Sequence, residues 1–271
     1  MREVVIKTED LVHIYPHGNK KANDNINLEI YKGDIVSIIG QNGSGKTTLV
    51  RHFNGLLRPT SGKVYLMGED TADKSIADMS RKCGYVFQNP NHQIFCTTVR
   101  DELLVGPQNF GFTAEETKRR FDEVVELMNL GDILEKHPMT LDYTTKKIVT
   151  IGSILIFNPE VLIMDEPTGG LDEPGREMLS KTINMVHDAG HTVIIISHDM
   201  DYVAENSKRV IMMAQAHVLA DETPETIFLN KDLCKLAQIE PPQITALEMA
   251  VTGRKDNLCL SVNDFVKRYS K

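Results

Sequence analysis

Ile35-Val36-Ser37-Ile38-Ile39 runs directly into Gly40-Gln41-Asn42-Gly43-Ser44-Gly45-Lys46-Thr47, and a helix-compatible stretch to Asn54 follows. The residues from Gly40 match the pattern G-x-x-x-x-G-K-[ST], and the flanking strand and helix are the context in which that pattern makes a phosphate-binding loop. Glycines let backbone N–H groups curl around an anion, and the helix N-terminus adds partial positive charge. The candidate nucleotide contacts are Gly40, Asn42, Gly43, Ser44, Gly45, Lys46, Thr47 and Thr48. Lys46 has the reach for β- and γ-phosphates, and the Thr47 hydroxyl is a candidate Mg²⁺ ligand.

Composition agrees with a large folded domain. The chain has 271 residues, 41% hydrophobic and 25% charged, enough to bury a full core. A net charge of −8 removes weight from nucleic-acid binding, which favours a basic face. Cys83, Cys96, Cys234 and Cys259 have no paired spacing, so neither a zinc site nor a disulfide framework is expected. Met1 to Lys7 lacks the apolar core of a signal peptide. No stretch approaches the roughly 18 apolar residues of a membrane span. Membrane association is therefore expected to run through a partner.

Apolar patterning places the elements. Up to about Gly68 the chain reads as β-rich, with strands at Val4 to Ile6, Leu11 to Tyr15, Ile26 to Ile30 and Lys63 to Leu66. Residues 97–157 read as helical, with Thr113 and Glu116 forming a capping box. Val161 to Met164 and Thr192 to Ile196 are continuous apolar runs, and Met178 to His187 between them is a helix stopped by Gly190. Buried strands alternating with helices predict an α/β fold with a mainly parallel sheet covered on both faces. From Pro224 short helical pieces alternate with breakers, so residues 1–223 are expected to form the main domain and 224–271 a helical C-terminal extension.

Two apolar runs end in polar groups. Asp165 and Glu166 follow Met164 at the carboxyl end of a predicted parallel strand, where ligands bind. Asp165 is placed to hold Mg²⁺, and Glu166 to orient or deprotonate an attacking water. Ser197-His198-Asp199 repeats the arrangement after Ile196, and His198 is a candidate γ-phosphate contact. A lone His at a strand end is more often structural. Here it is the third polar group projected from one sheet edge.

In this order the residues resemble an ABC-type ATPase cassette. The resemblance implies a P-loop fold with an N-terminal antiparallel β subdomain, a helical subdomain at about 97–157, and ATP with Mg²⁺ as ligands. It adds Gln88 as a glutamine-loop contact to Mg²⁺ or water, Tyr15 as the aromatic stacked on adenine, and Thr168 to Asp172 as the loop in which Asp172 reaches across a dimer. Gln88 to Phe95, Val99 to Glu102 with Gly106 to Gly111, and Glu240 to Thr245 are similar to segments of energy-coupling factor transporter ATPases. That narrower resemblance implies a peripheral ATPase subunit on the cytoplasmic face of the membrane, powering uptake of a vitamin or transition-metal ion. Its partners would be a second ATPase subunit, a transmembrane coupling protein and a substrate-binding membrane protein, with no nucleic acid. A non-catalytic nucleotide-binding regulatory subunit and a soluble, non-transport cassette ATPase are the alternatives.

One segment departs from the pattern. Where the family usually carries Leu-Ser-Gly-Gly-Gln, this chain has Leu141-Asp142-Tyr143-Thr144-Thr145. In the family this helix start contacts the γ-phosphate held by the opposite subunit. Side chains at 143 and 144 obstruct close backbone approach, which glycine allows. A carboxylate facing a phosphate about 4 Å away costs about 4 kcal/mol at an effective dielectric near 20. Asp142 reads alternatively as a plain helix N-cap. Since each ATP lies between one P-loop and the other subunit's signature, an asymmetric heterodimer is expected.

Overall fold

The computed structural model describes residues 2–16, 20–254 and 256–270. Strands β1 (Val4–Ile14) and β2 (Lys21–Tyr31) form an antiparallel ribbon. Next come β3 (Ile35–Ile39), helix α1 (Lys46–Phe53), β4 (Ser61–Leu66), β5 (Glu69–Asp70), α2 (Ile76–Lys82) and β6 (Cys83–Val86). Helices α3 (Val99–Asn109), α4 (Ala114–Leu127) and α5 (Tyr143–Leu155) fill the segment predicted to be helical. The chain then alternates through β7 (Val161–Asp165), α6 (Glu173–Asp188), β8 (Thr192–Ile196) and α7 (Met200–Asn206). It closes with the hairpin β9 (Arg209–Ala214) and β10 (His217–Glu222), then α8 (Pro224–Leu229), α9 (Lys231–Ala237), α10 (Gln243–Thr252) and α11 (Val262–Tyr269).

Two sheets result. One is antiparallel, in the order β2-β1-β4-β5. The other runs β10-β9-β3-β8-β7-β6, and every pairing from β9 to β6 is parallel. Strand β8 explains the continuous apolar run. Ile194 and Ile196 enter the core shared with the antiparallel sheet, whereas Val193 and Ile195 enter the core beneath α3 to α6. Side chains alternate across a strand, so a strand covered on both faces needs apolar residues at every position.

Some elements differ from their sequence reading for definite reasons. The two short N-terminal strands are one, β1, bent at a bulge where Asp10 has φ 47°. Asp tolerates that left-handed geometry, and the Asp10 N–H finds Asn27 Oδ1 at 2.9 Å. Helix α6 starts before Met178, because Asp172 caps the Gly175 N–H and Pro174 sits in the first turn. The β9–β10 hairpin lacks the usual turn signal. Its two-residue loop is Gln215-Ala216, both at positive φ, where Asn-Gly is the common choice.

Past residue 223 the chain stays in contact with the core. Ile227 and Phe228 of α8 and Cys234 and Ala237 of α9 pack against Val210 and Met212 of β9. Farther on, fully buried Glu248 accepts hydrogen bonds from the Cys259 N–H, Arg268 and the Tyr269 hydroxyl, which ties α10 to α11.

Arg209 holds the two sheets together. It bonds both oxygens of Asp221, each at 2.6 Å, Asp34 Oδ2 at 2.9 Å and the Glu29 carbonyl at 2.8 Å. Removing it leaves the nearly buried Asp34 carboxylate without this partner. Arg209→Ala is expected to cost about 3 kcal/mol of stability. A denaturant midpoint lowered at unchanged slope checks this. Lys cannot supply the bidentate fork, so Arg209→Lys should recover only part of the loss.

Candidate functional site

The glycine-rich loop leaves β3 and returns as α1. Glycine is required at two of its corners by close approach. A Cβ on Gly40 would collide with the Met213 carbonyl, and one on Gly45 with the Ala22 carbonyl. Helix α1 has no side-chain cap and no acid in its first turn. Its first N–H groups and dipole are left for an anion. Lys46 is 6% exposed and folds back to donate to the Gly40 and Gln41 carbonyls at 2.7 and 3.1 Å. Burial lowers its pKa, opposed by Glu166 and Asp165. Two of its three protons are thus engaged, and one is left for the cleft.

That cleft has a volume of about 880 Å³. It brings together Gly40, Asn42, Gly43, Gly45, Lys46, Thr47, Thr48, Gln88, Asp165, Glu166 and His198. Two candidates stand apart from its lining. Ser44 is buried and its hydroxyl has no partner among the described residues, while its N–H closes the loop on the Gln41 carbonyl at 3.1 Å. Tyr15, 42% exposed, joins the site through its hydroxyl, 3.1 Å from Thr48 Oγ1.

Both acids come from the end of β7, and His198 follows the neighbouring parallel strand β8. Tyr85 of β6 donates to Asp165 Oδ2 at 2.6 Å. Glu166 sits at φ 48°, a left-handed turn outside the strand, and its N–H bonds the Ile196 carbonyl of β8 at 2.9 Å. This turn carries its carboxylate to His198. One Glu166 oxygen lies 2.7 Å from His198 Nδ1 and accepts the His198 backbone N–H at 3.1 Å. Burial raises the Glu166 pKa, and His198 and Lys46 oppose the rise. A partly buried carboxylate oriented by an imidazole beside a phosphate cradle is the arrangement a water-activating base requires.

Mg²⁺ fits the donor set. Thr47, Gln88 and Asp165 line one cleft with hydroxyl, amide and carboxylate oxygens. No cluster of three or more His, Cys, Asp or Glu with metal-site geometry occurs among the described residues. Mg²⁺ commonly takes one or two protein oxygens and completes its shell with water and substrate phosphates.

Several lining residues escaped the sequence reading. Arg51 lies one turn beyond Thr47 on α1, a spacing that puts both on one face. Met200 and the segment Gln238-Ile239-Glu240, which follows α9, close another side. Lys147 lies behind that lining, 3% exposed, and burial lowers its pKa to about 8 against the pull of Glu166.

The divergent segment begins α5. Asp142 is its N-cap, accepting from the Thr145 N–H at 2.9 Å and its hydroxyl at 2.6 Å. The Thr145 side-chain and backbone bonds lower its pKa. Of the two readings of Asp142, the cap is the one realised in the single chain. Asp172 likewise caps α6. Leu141 to Thr145 contribute nothing to the lining of their own chain's cleft.

Comparison with known proteins points the same way. The ABC transporter family profile matches residues 23–169. The energy-coupling factor transporter ATP-binding protein EcfA of Methanocaldococcus jannaschii is 36% identical over 256 residues, 94% of this chain and 91% of that protein. A putative ABC transporter ATP-binding protein of Caldanaerobacter subterraneus is also 36% identical, over 97% of this chain. The chain spans only 46% of that longer protein. Among solved structures, cbiO1 of Clostridium perfringens, described as part of the ABC transporter complex cbiONQ, superposes with a TM-score of 0.78 at 32% identity. The match covers 86% of this chain and 94% of that one.

Proposed function

Because the chain belongs to the ABC transporter ATPases, within their energy-coupling factor type, we propose that its own P-loop site hydrolyses ATP to drive uptake of a vitamin or transition-metal ion. The observation that carries the reading is the Glu166–His198 pair, 2.7 Å apart, lining the same cleft as Lys46, Thr47 and Asp165. In this reading Lys46 and the loop N–H groups hold the phosphates. Thr47, Asp165 and Gln88 hold Mg²⁺, which would offset the negative charge of the phosphates. Glu166 accepts a proton from the attacking water, His198 keeps its carboxylate aimed, and Tyr15 packs on the base.

Partners follow from the same reading. No described helix is long and apolar enough to cross a membrane. Coupling to transport then needs a transmembrane protein on one face and a second ATPase subunit on the other. Phe87 and Phe95 flank the glutamine loop at 40% and 72% exposure and offer apolar contacts to the former. The altered helix start at Asp142 favours a second ATPase that is not a copy of this chain. A nucleotide-binding regulator would have no use for the Glu166–His198 pair. A soluble cassette ATPase would not need a membrane partner.

Capture of the tagged chain from detergent-solubilised native membranes tests these assignments together. The expected result is stoichiometric recovery of two membrane proteins and a different ATPase. Recovery of this chain alone as its own partner would remove the heterodimer, and recovery with nucleic acid would remove the transport role.

A further inference from the structure

The altered helix start turns inward, toward its own chain's glutamine loop and catalytic strand. Lys147, on the first turns of α5, lies 3% exposed between them. Its Nζ donates to the Gln88 carbonyl at 3.1 Å and the Glu166 carbonyl at 3.5 Å, and sits 5.3 Å from the centre of the Tyr143 ring. Three acceptors thus surround a group with three protons. The Tyr143 hydroxyl reaches the same Gln88 carbonyl at 3.5 Å. Its ring lies against Gly170, where a Cβ would come within 3.1 Å of it. A second tie holds the loop to α5. The Phe87 N–H donates to Gln93, and Gln93 donates to the Thr150 carbonyl and the Ser153 hydroxyl.

These contacts meet at a left-handed backbone position of the site. Glu166 holds a left-handed turn, a geometry that persists only when its surroundings over-determine it. Its N–H is fixed by Ile196, and its carbonyl takes both the Gly169 N–H at 3.2 Å and the Lys147 ammonium at 3.5 Å. We propose that Lys147 is a positioning residue, locking the main chain at Gln88 to the main chain at Glu166 so that both side chains converge on one cleft. The segment that departs from the family signature would then serve this chain's own site, with Tyr143 as the lid on the Lys147 ammonium. This inference rests on the reading of that site as a hydrolytic one.

The test uses the membrane complex carrying Lys147→Met, Lys147→Arg or Glu166→Gln in this chain, with MgATP as the probe and phosphate release as the assay. Lys147→Met is expected to lower kcat by about thirtyfold while ATP affinity stays within about threefold, since the loss is in alignment and not in phosphate binding. Lys147→Arg, able to reach both carbonyls, should recover kcat to within about fivefold of the parent. Lys147→Met added to Glu166→Gln should lower the residual turnover no further. A kcat within about threefold of the parent, or a matching loss of ATP affinity, overturns the proposal. If Lys147→Met does not assemble, Lys147→Gln, polar but shorter, decides by the same two readouts. The failures are separable. Full turnover in Glu166→Gln would sink the hydrolytic reading itself. A dead Glu166→Gln beside an active Lys147→Met would sink only the role of Lys147.

Discussion

Glu166→Gln is expected to lower ATP turnover at this chain's site by about a thousandfold, within the range usual for loss of a general base. The substitution is nearly isosteric. An amide oxygen can still accept the His198 backbone N–H that the carboxylate accepts at 3.1 Å. It cannot take a proton from water, and it loses the charge-assisted contact with His198 Nδ1 at 2.7 Å. Phosphate binding rests on other groups, the α1 N-terminus and Lys46, so ATP affinity should change by less than about threefold. Chemistry is thereby separated from binding, and an ATP-bound dimer should accumulate. The two quantities to measure are single-turnover phosphate release and equilibrium ATP binding. If turnover falls by less than about tenfold, the base lies elsewhere or the chain is a nucleotide-binding regulator.

The parts of this site that were legible in the sequence are those fixed by local chemistry. Gly40 to Thr47 is contiguous, and each corner is dictated by the backbone. Asp165, Glu166 and His198 were legible because each ends an apolar run, and the parallel order β3-β8-β7 brings such ends to one edge. Gln88 and Tyr15 have no such local rule, and only resemblance to a family singled them out.

What could not be read depends on long-range packing. Lys147 looks like an ordinary polar position on a helix. Its burial follows from the crossing of α5 beneath the glutamine loop and β7, and no periodicity announces that. Gln238 to Glu240 enter the cleft because α9 ends in a left-handed residue, Gln238 at φ 54°, where glycine would have been the recognisable signal. The Gln215-Ala216 hairpin was missed for the same reason. In each case tertiary contacts hold a backbone geometry that the residue type does not advertise.

Restoring the family signature, Asp142→Ser, Tyr143→Gly, Thr144→Gly and Thr145→Gln together, is expected to raise turnover at the partner's site by at least about tenfold, since a single missing oxyanion donor costs about a hundredfold or more. The cleanest assay places the change in a Glu166→Gln background, where this chain's own site is silent and residual turnover belongs to the other. Ser remains a good N-cap, so α5 keeps its start. Two glycines in the first turn cost about 1 kcal/mol each, small beside the fixed core contacts of Val149 and Ile151, both almost fully buried. Asp142 shares its charge with Thr145 in the single chain. The repulsion it presents to a phosphate is thereby reduced but not removed, and the Tyr143 side chain still occupies the path that a glycine backbone would open. Losing Tyr143 also strips the cover from Lys147, so the same variant with Glu166 intact should gain less than the sum of its parts. If neither turnover nor the ATP-bound dimer changes, the helix start plays no part in the second nucleotide site. If, with Glu166 intact, the purified chain gains turnover and an ATP-bound dimer with no second ATPase present, it pairs with itself.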